Sequence, residues 1–348
     1  MLSILAIGDP HFKTDNIVAV DIFINNIEKL ALTQKPDIIV CLGDLLHDHE
    51  RLHTIPLNKA YEFIDRMRKI SPTYVIVGNH DFIGNQQFLS ENHWMNGLKE
   101  WENTFVVDKV MTHIENGVKL VLCPYVPPSR FEEALSTLPT GYKDANLILC
   151  HQEFFGCKMG AIVSVDGDKW SEDYPFIISG HIHNRQKPQK NIYYPGASIQ
   201  TAFGETEDTI VANVIVGSDN EVDIKEIDLG LPKKKIIRVN IDDVDDFVLP
   251  KNVNNDDIKV TITGDQSDFN AFKKSEKYKQ LTKKAKVVFK KDASVKENIS
   301  AEDNANGDAN GDNDFKIILR NLIEKEGESK SLIELYELLI NGREILVL

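Results

Sequence analysis

The sequence of 348 residues contains no apolar run long enough to span a membrane. Its opening segment, residues 1–8, is too short for that role and has neither a basic region nor a small-residue cleavage site. The segment leads directly into Asp9 and His11, so we interpret it as a first β-strand and not as a signal peptide. We therefore expect a soluble, intracellular protein that does not contact a membrane.

Cysteine is scarce, with four positions in the whole sequence. No two of them form a C-x-x-C pair, and three lie in or at the end of apolar, strand-like runs; the positions are Cys41, Cys123, Cys150 and Cys157. This pattern predicts buried free thiols. It argues against a disulfide framework and against a structural zinc site built from thiolates.

Positive charge is sparse over the larger part of the chain. Residues 1–230 carry 19 lysine and arginine residues against 32 aspartate and glutamate residues, which is −13 of the total charge of −14. Residues 251–291, by contrast, hold 11 lysines against five acidic residues, a local charge of +6. This basic segment is compatible with nucleic-acid contact, and it fits a solvated helix face equally well, so charge alone leaves both interpretations open.

The first part of the chain alternates short apolar runs with amphipathic segments. The runs at 2–7, 37–42 and 73–77 are rich in β-branched residues and predict buried strands. Apolar residues at helical spacing predict helices over 16–34 and 56–70. The resulting β-α-β-α-β order predicts parallel pairing with right-handed crossovers.

The pattern continues with shorter elements up to about residue 230. It predicts helices over 88–101 and 129–137, a long loop over 156–174, strands over 104–107, 118–123 and 146–150, and further strands of antiparallel character over 176–179, 191–194, 209–216 and 221–228. We therefore predict an α/β fold over residues 1–230, a two-sheet β-sandwich flanked by helices.

Beyond Pro232 the composition changes, and residues 233–291 predict a small α+β unit. Its expected elements are strands over 235–241, 257–263 and 285–290 and a helix over 268–281. Residues 292–314 contain few apolar side chains and predict a disordered linker. Two amphipathic helices within 315–341 follow, and such a pair cannot bury its apolar face alone, so we expect it to bind the chain's own body or, preferably, another protein.

Five short polar motifs occur where predicted strands end. They are Asp9-x-His11, Gly43-Asp44, Gly78-Asn79-His80-Asp81, His151, and Gly180-His181-Ile182-His183. Each motif is weak alone, but together they supply carboxylates, neutral imidazoles and one amide oxygen at the carboxyl ends of strands, where ligands bind in open α/β sheets. This mixed nitrogen and oxygen set suits Mn²⁺, Fe²⁺ or Zn²⁺.

These motifs, in this order, resemble those of the calcineurin-like metallophosphoesterases, over roughly residues 2–200. The resemblance implies a two-metal site: one ion held by Asp9, His11 and His183, the other by Asn79, His151 and His181, and Asp44 bridging the two. Paired ions of this kind clamp a phosphoryl group for in-line attack. By the same resemblance, His80 protonates the leaving oxygen or stabilises the transition state, and Asp81 orients His80 or a ligand.

Residues 43–47, with the sequence GDLLH, resemble the G-D-L-F-H pattern of SbcD-type double-strand-break repair nucleases. Protein Ser/Thr phosphatases instead have a D-R-G pattern after this Gly-Asp and use G-N-H-E, and this chain has neither. The resemblance implies that His47 helps to position DNA. Leu46 stands where the pattern has phenylalanine, which implies altered packing beneath the loop. We interpret His49 and His53 as loop residues, and His93 and His113 as surface or helix residues.

The C-terminal layout also resembles that of the SbcD-type nucleases. Residues 233–291 are similar to their capping domain, and 315–341 to the helical pair that docks on an SbcC-type ATPase. The resemblance thus implies DNA as substrate, an SbcC-type partner, and a homodimer formed through helices near 56–70 and 88–101, where tryptophans suit either an interface or the core. Phosphate contacts are expected from cap lysines: Lys273, Lys274, Lys277, Lys283 and Lys284.

The leading hypothesis is a Mn²⁺-dependent DNA exo- or endonuclease of the SbcD type, acting in break repair or recombination. The principal alternative is a stand-alone phosphoesterase acting on small nucleotides or phosphomonoesters, which needs neither cap nor tail. A third interpretation is a non-enzymatic scaffold that has lost its metals. The acidic body opposes DNA binding unless the metal pair and the cap lysines line one groove.

Overall fold

The computed structural model describes residues 1–251 and 256–291. Its strands are β1 (Leu2–Ile7), β2 (Ile38–Cys41), β3 (Thr73–Ile76), β4 (Thr104–Val107), β5 (Met111–Glu115), β6 (Val118–Cys123), β7 (Leu147–His151), β8 (Lys158–Met159), β9 (Ile162–Val163), β10 (Phe176–Gly180), β11 (Gln186–Gln189), β12 (Ile192–Tyr194), β13 (Val211–Val216), β14 (Val222–Ile227), β15 (Lys234–Asn240), β16 (Asp257–Gly264) and β17 (Lys286–Lys291). Its helices are α1 (Ile17–Gln34), α2 (Thr54–Arg68), α3 (Phe131–Leu135), α4 (Gln266–Phe272) and α5 (Glu276–Thr282), with 3₁₀ helices at Trp94–Glu100 and Ile241–Asp243. The predicted linker over 292–314 and the helices within 315–341 lie outside the described residues.

Two six-stranded sheets organise the larger part of the fold. The first has the order β14-β13-β1-β2-β3-β4, in which β1 to β4 run parallel and β13 pairs antiparallel with both of its neighbours, β1 and β14. The second has the order β11-β12-β10-β7-β6-β5, with β6, β7, β10 and β12 parallel and both edge strands antiparallel. The predicted α/β sandwich of two sheets flanked by helices is confirmed.

The core lies in layers on both sides of the sheets, because successive side chains of a strand point to opposite faces. In β1, Leu5 and Ile7 pack with the buried face of α1 and α2, whereas Ile4 and Ala6 pack between the two sheets. A third cluster covers the outer face of the second sheet around Phe131. These layers hold the strand ends rigidly at one edge of the sandwich.

The direction of two predicted strands is corrected by the structure. The sequence favours antiparallel pairing for 176–179 and 191–194, but β10 pairs in parallel with both β7 and β12. The reason is that β11 lies between them in the chain and reverses direction, so that β12 re-enters the sheet alongside β10 with the same orientation. The predicted antiparallel pairing of the last two strands, β13 and β14, is confirmed.

The predicted helix over 88–101 is also corrected, since only Trp94–Glu100 is helical and it is a 3₁₀ helix. The residues before it are held otherwise: His93 bridges to Phe82, and its ring accepts the amide N–H of Met95 as a cap. A predicted helix over 268–281 is two helices, because the Ser275 hydroxyl caps α5 by accepting the amide N–H of Tyr278.

Residues 234–291 contain a separate three-stranded parallel sheet, β15-β16-β17, which we call the small sheet. With α4 and α5 it encloses its own apolar cluster, centred on Val260, Ile262 and Phe269. The division into a catalytic domain over 1–230 and a cap over 233–291 stays a prediction.

The expectations about membrane spans and about cysteines can be compared with the described residues. None of the helices in the described ranges is both long enough and apolar enough to cross a membrane. All four cysteines are buried free thiols, which confirms the prediction made from their positions.

His93 is buried and not the surface or helix residue expected from the sequence. Its Nε2 lies 3.3 Å from Asp108 Oδ2, and the same oxygen lies 2.5 Å from Lys99 Nζ. Burial by itself would raise the pKa of Asp108, but its bonds to His93 and Lys99 hold the pKa at about 2. This cluster ties the 3₁₀ helix to the end of β4.

Replacement of Asp108 by asparagine is expected to lower the free energy of unfolding at pH 7 by about 2 kcal/mol, because the folded-state pKa lies about 2 units below its ordinary value. A depressed pKa stabilises above the unfolded-state value, so the difference between wild type and Asp108→Asn should shrink as the pH falls from 4 towards 2. Urea unfolding across that range measures it.

The matched control is Asp144→Asn. Asp144 forms an equally short ion pair with Lys119, but the Asp144 side chain is 71% exposed. An exposed pair of this kind contributes at most about 1 kcal/mol. Equal losses in the two variants would show that burial does not set the contribution of Asp108.

Candidate metal centre

Every candidate ligand lies at the carboxyl end of a strand or on the loop that leaves it, as the sequence predicted. Asp9 and His11 follow β1, Asp44 follows β2 and Asn79 follows β3. His151 is the last residue of β7, and His181 and His183 follow β10; all of these side chains meet at the same edge of the sandwich. The two sheets thus contribute ligands to one site.

The backbone at four of these residues adopts the left-handed region that non-glycine residues rarely enter. The φ angles are 34° at Asp9, 46° at His11, 49° at Asp44 and 80° at His181. Such conformations cost on the order of 1–3 kcal/mol each and persist where the surrounding structure enforces them. Here they turn the side chains back over the strand ends towards one another.

Glycine at two motif positions makes room for the ligands. A Cβ at Gly78 would overlap Asp44 Oδ1, and a Cβ at Gly43 would overlap the ring of His151. Gly43 also has φ of 113°, which only glycine adopts without strain. The glycines of G-D and G-N-H-D are therefore required by close packing of ligand side chains.

Asp44 occupies the centre of the site and contacts both histidine groups. Its Oδ2 lies 3.6 Å from His11 Nε2 and 3.3 Å from His151 Nε2. On one side, His11 Nε2 lies 2.9 Å from His183 Nε2. On the other, Asn79 Oδ1 lies 3.0 Å from His151 Nε2 and 2.8 Å from His181 Nδ1. A central carboxylate between two nitrogen-rich groups is the arrangement expected of a two-metal site.

The residues present fit divalent cations on two further observations. Asp9 is completely buried, and its Oδ2 has no hydrogen-bond partner among the described residues. Burial lowers the pKa of His11 well below its ordinary value, so its ring stays neutral and keeps the lone pair that a metal requires. A buried carboxylate oxygen without a donor, beside converging imidazole nitrogens, is satisfied by a bound cation.

Two candidate histidine ligands are oriented by a hydrogen-bond acceptor on the opposite ring nitrogen, and a third faces a carboxylate there at a longer distance. His151 Nδ1 lies 2.8 Å from the carbonyl of Leu42, and His183 Nδ1 lies 2.9 Å from Glu205 Oε1. His181 Nε2 lies 3.9 Å from Glu153 Oε2. An N–H directed at such acceptors leaves the other nitrogen free for a metal, as is common for metal-binding histidines.

Sequence reasoning missed both glutamates. The hydrogen bonds of Glu205 to His183 and to the 201–202 segment outweigh burial and hold its pKa at about 2, so it is ionised at neutral pH. No motif marks Glu153 or Glu205. Their one signal is that each lies in a loop after a strand of the second sheet.

Asp81 holds the loops that carry Asp44 and Asn79 together, and its expected role in orienting His80 or a ligand stays a prediction. Its carboxylate accepts the amide N–H of Gly78 at 3.0 Å and those of Leu45 and Leu46 at 3.4 and 3.3 Å. It also accepts the indole N–H of Trp94 at 2.9 Å. Burial and the nearby charge of Asp44 raise the pKa of Asp81 to about 6.

Two histidine rings, His47 and His80, lie beside His11, and the ring of His49 stacks on His80. The His80 ring is nearly parallel to those of His47 and His49, with centroids 5.6 and 4.3 Å apart. His80 Nδ1 lies 2.5 Å from the carbonyl of His47, so Nδ1 donates and Nε2 stays free. His47 Nδ1 lies 3.4 Å from His11 Nδ1. The structure thus brings His47 and His80 to the site and adds His49, which the sequence did not single out.

The five cap lysines that were assigned to DNA contact lie within α5 or directly after the ends of α4 and α5, the helices that pack on the small sheet. Lys277 donates to the carbonyl of Asp245, and Lys273 lies over the Phe269 ring at 4.9 Å. Lys274, Lys283 and Lys284 are exposed. Within 1–251 and 256–291, no hydrogen bond or ion pair joins these five lysines to the site.

The tryptophans near the predicted dimer helices have partners within the chain. Tyr61 of α2 contacts both Trp94 and Trp101, with ring centroids 5.9 Å apart in each case. The Arg68 guanidinium lies 4.9 Å above the Trp101 ring. Intrachain packing thus accounts for both residues, and the homodimer is untested by the structure.

Comparison with known proteins agrees with this geometry. Residues 2–185 match the family model described as calcineurin-like phosphoesterase, a span that includes every candidate ligand. The chain belongs to the calcineurin-like phosphoesterase family. The resemblance inferred from the five motifs is confirmed at this level, and the chain is a metal-dependent phosphoesterase.

Two viral relatives cover most of this phosphoesterase. "Putative phosphoesterase 244L" of Invertebrate iridescent virus 6 is 51% identical over 279 residues, covering 78% of this chain and 97% of its own. "Putative phosphoesterase 078R" of Invertebrate iridescent virus 3 is 42% identical over 331 residues, covering 94% of each chain. Among solved structures, Plasmodium GAP50, described as the anchor in the inner membrane complex, covers 66% of this chain and 84% of its own at 13% identity and a TM-score of 0.42, too low to carry a functional argument.

Replacement of Asp44 by asparagine is expected to weaken both metal sites, because one carboxylate lies between the two histidine groups. Calorimetric titration of chelator-treated protein with Mn²⁺ should give two ions per chain for the wild type. In Asp44→Asn both affinities should fall by more than roughly 100-fold, which is the largest effect typical of losing the hydrogen-bond partner of a metal ligand.

Glu50→Gln, an exposed carboxylate in the same loop, is the control and should leave both affinities unchanged. Retention of one unaltered tight site in Asp44→Asn would mean that Asp44 serves only one ion.

Proposed function

We propose that this phosphoesterase is a DNA nuclease of the SbcD type that uses two divalent ions, with Mn²⁺ as the expected ion. The observation that supports it is the position of His47, the last residue of the GDLLH loop. Its ring lies beside His11 and His80, close enough that nitrogen atoms of the three rings could bind one cation, and it is only partly buried. An imidazole at the open rim of a metal centre can contact the backbone of an extended substrate next to the reacting phosphate.

The proposed roles follow the two groups around Asp44. Asp9, His11 and His183 would hold one ion, Asn79, His151 and His181 would hold the other, and Asp44 lies between the two groups and could serve both. When bound, the ions supply the positive charge that draws in a phosphodiester and stabilises in-line attack. The Nδ1–H of His80 donates to the carbonyl of His47, which turns Nε2 away from that contact. In the imidazolium form of the ring, Nε2 would carry the second proton and could transfer it to the leaving oxygen, leaving a neutral ring.

The same proposal assigns phosphate contacts to the exposed lysines of the small sheet. Lys274, Lys283 and Lys284 stand out from a chain that is otherwise acidic. Contacts of this type would give binding that depends on salt and not on base sequence.

A second candidate is a stand-alone phosphoesterase acting on small nucleotides or phosphomonoesters. It is favoured by the net charge of −13 over residues 1–230, which repels a polyanion but affects a small substrate less. The two candidates share the metal centre and differ in whether duplex DNA is cleaved.

The decisive assay is digestion of end-labelled linear duplex DNA with Mn²⁺, with bis-p-nitrophenyl phosphate as a parallel substrate. Wild type should degrade the duplex and stop when a chelator is added. His80→Ala should lose at least about 100-fold on both substrates, because the proton donor is removed. His47→Ala should lose far more on DNA than on the small substrate.

His53→Ala is the matched control, since this loop histidine is half exposed and forms an ion pair with Asp48 at 3.4 Å, away from the candidate ligands. It should retain wild-type rates on both substrates. Turnover of the small substrate by an enzyme that leaves duplex DNA intact would favour the stand-alone phosphoesterase.

The partner proposal concerns residues 315–341, which lie outside the described residues. We propose that they bind an SbcC-type ATPase, on the basis of their amphipathic pattern, and that the chain forms a homodimer through α2 and residues 88–101. Deletion of 315–348 should abolish co-purification of the ATPase while leaving Mn²⁺-dependent turnover of the small substrate intact. Capture that survives the deletion would place the docking surface elsewhere.

A further inference from the structure

We propose that residues 200–205, here called the strap, couple metal binding at His183 to the docking of the small sheet. The strap lies in the connection between β12 and β13. At one end it contacts a candidate metal ligand, and at the other it contacts the first residue of β15. This inference rests on the metal centre of the proposed function, but not on the identity of the substrate.

Glu205 forms the end of the strap at the metal centre. Its Oε1 accepts from His183 Nδ1 at 2.9 Å and from the Thr201 hydroxyl at 2.7 Å. Its Oε2 accepts the amide N–H groups of Thr201 and Ala202 at 2.7 and 2.9 Å. Both carboxylate oxygens are thus occupied, so the strap must keep its shape for Glu205 to orient His183.

Gln200 forms the end of the strap at the small sheet, and its side chain is buried. The amide oxygen accepts the backbone N–H of Lys234 at 2.6 Å, and the amide nitrogen lies 3.2 Å from the Lys234 carbonyl. The same nitrogen donates to the carbonyl of Glu205 at 3.1 Å. One primary amide therefore joins the start of β15 to the backbone of the residue that orients His183.

Three further contacts hold the strap between its two ends. The ammonium groups of Lys234 and Lys259, from β15 and β16, lie 5.5 and 5.8 Å from the Phe203 ring. Lys13, two residues after His11, donates to the carbonyl of Thr201 at 2.9 Å. The strap is consequently held between the small sheet and the loop that carries the first two candidate ligands.

Through the strap, the position of the small sheet can affect metal binding at His183 without a direct contact between the two. Docking of β15 favours the strap geometry in which Glu205 orients His183, and this raises the affinity of the site for a cation. Because coupling between two equilibria is reciprocal, a bound cation must favour docking of β15 to the same degree. A strap that merely closes a loop would show no such effect.

Calorimetric titration of the full chain with Mn²⁺ tests the first half of the proposal. Glu205→Gln should weaken one of the two ions by about 10- to 100-fold, as for loss of an outer hydrogen-bond partner. Gln200→Ala touches no candidate ligand, yet it should weaken the same ion by about 3- to 30-fold. The double variant should match Glu205→Gln within about twofold, because both changes interrupt the same connection.

Glu207→Gln is the control, an exposed carboxylate just beyond the strap that should leave Mn²⁺ affinity unchanged. Thermal unfolding in chelator identifies any variant that has not folded. An affinity for both ions within twofold of wild type in a folded Gln200→Ala would overturn the coupling.

Hydrogen exchange on the wild type tests the second half without any substitution. Mn²⁺ should slow amide exchange across Lys234–Asn240 in the wild type, and the effect should disappear in Gln200→Ala. Unchanged exchange in β15 on Mn²⁺ addition would overturn the proposal. A wild type that binds no Mn²⁺ would overturn the metal centre as well, whereas failure to cleave DNA with coupling intact would remove only the nuclease assignment.

Discussion

The site depends on keeping one buried carboxylate, Asp44, among groups that balance its charge. Its Oδ1 accepts the amide N–H of His80 at 2.8 Å, and its Oδ2 lies near both His11 and His151. Burial alone would raise the pKa of Asp44, but the surrounding histidines, His151 first, hold it well below its ordinary value. An unpaired charge at this depth would cost several kcal/mol, on the order found for buried ions. Asp44 therefore requires the loops after β1, β2, β3 and β7 to meet as they do.

The two sheets make that meeting possible by supplying a rigid edge. Parallel strands direct their carboxyl ends the same way, so ligands separated by up to 174 residues, from Asp9 to His183, reach one point. The loops are then joined to each other by backbone hydrogen bonds. Phe12 N–H donates to the carbonyl of Leu45 at 2.9 Å, and His47 N–H donates to the carbonyl of Phe12 at 3.2 Å. Phe12 is itself buried against Phe23 and Phe63, so the apolar core beneath the site stabilises its strained backbone.

A ring of carboxylates around the ligands gives the site its orientation. Asp81 holds the loops of Asp44 and Asn79, Glu205 holds His183, and Glu153 lies behind His181. Each of these groups acts through another residue and not on a substrate. Through Glu205 and Gln200, this outer layer also reaches the small sheet, so the metal centre and the C-terminal part of the described chain are physically continuous.

The sequence by itself determined the sandwich and identified the candidate ligands. Apolar runs that stop at polar residues identify strand ends, and a ligand at a strand end is recognisable from its neighbours in the chain. His151, His181 and Asp44 could be identified as candidates in this way. Only the tertiary structure decided which side chains support them. Glu205 and Gln200 carry no local signal, because their roles come from partners 22 and 34 residues away along the chain. Packing and strand order likewise settled the burial of His93, the division of the predicted helix over 268–281 into α4 and α5, and the parallel direction of β10. Periodicity shows which face of an element is apolar, but it does not show what lies against that face.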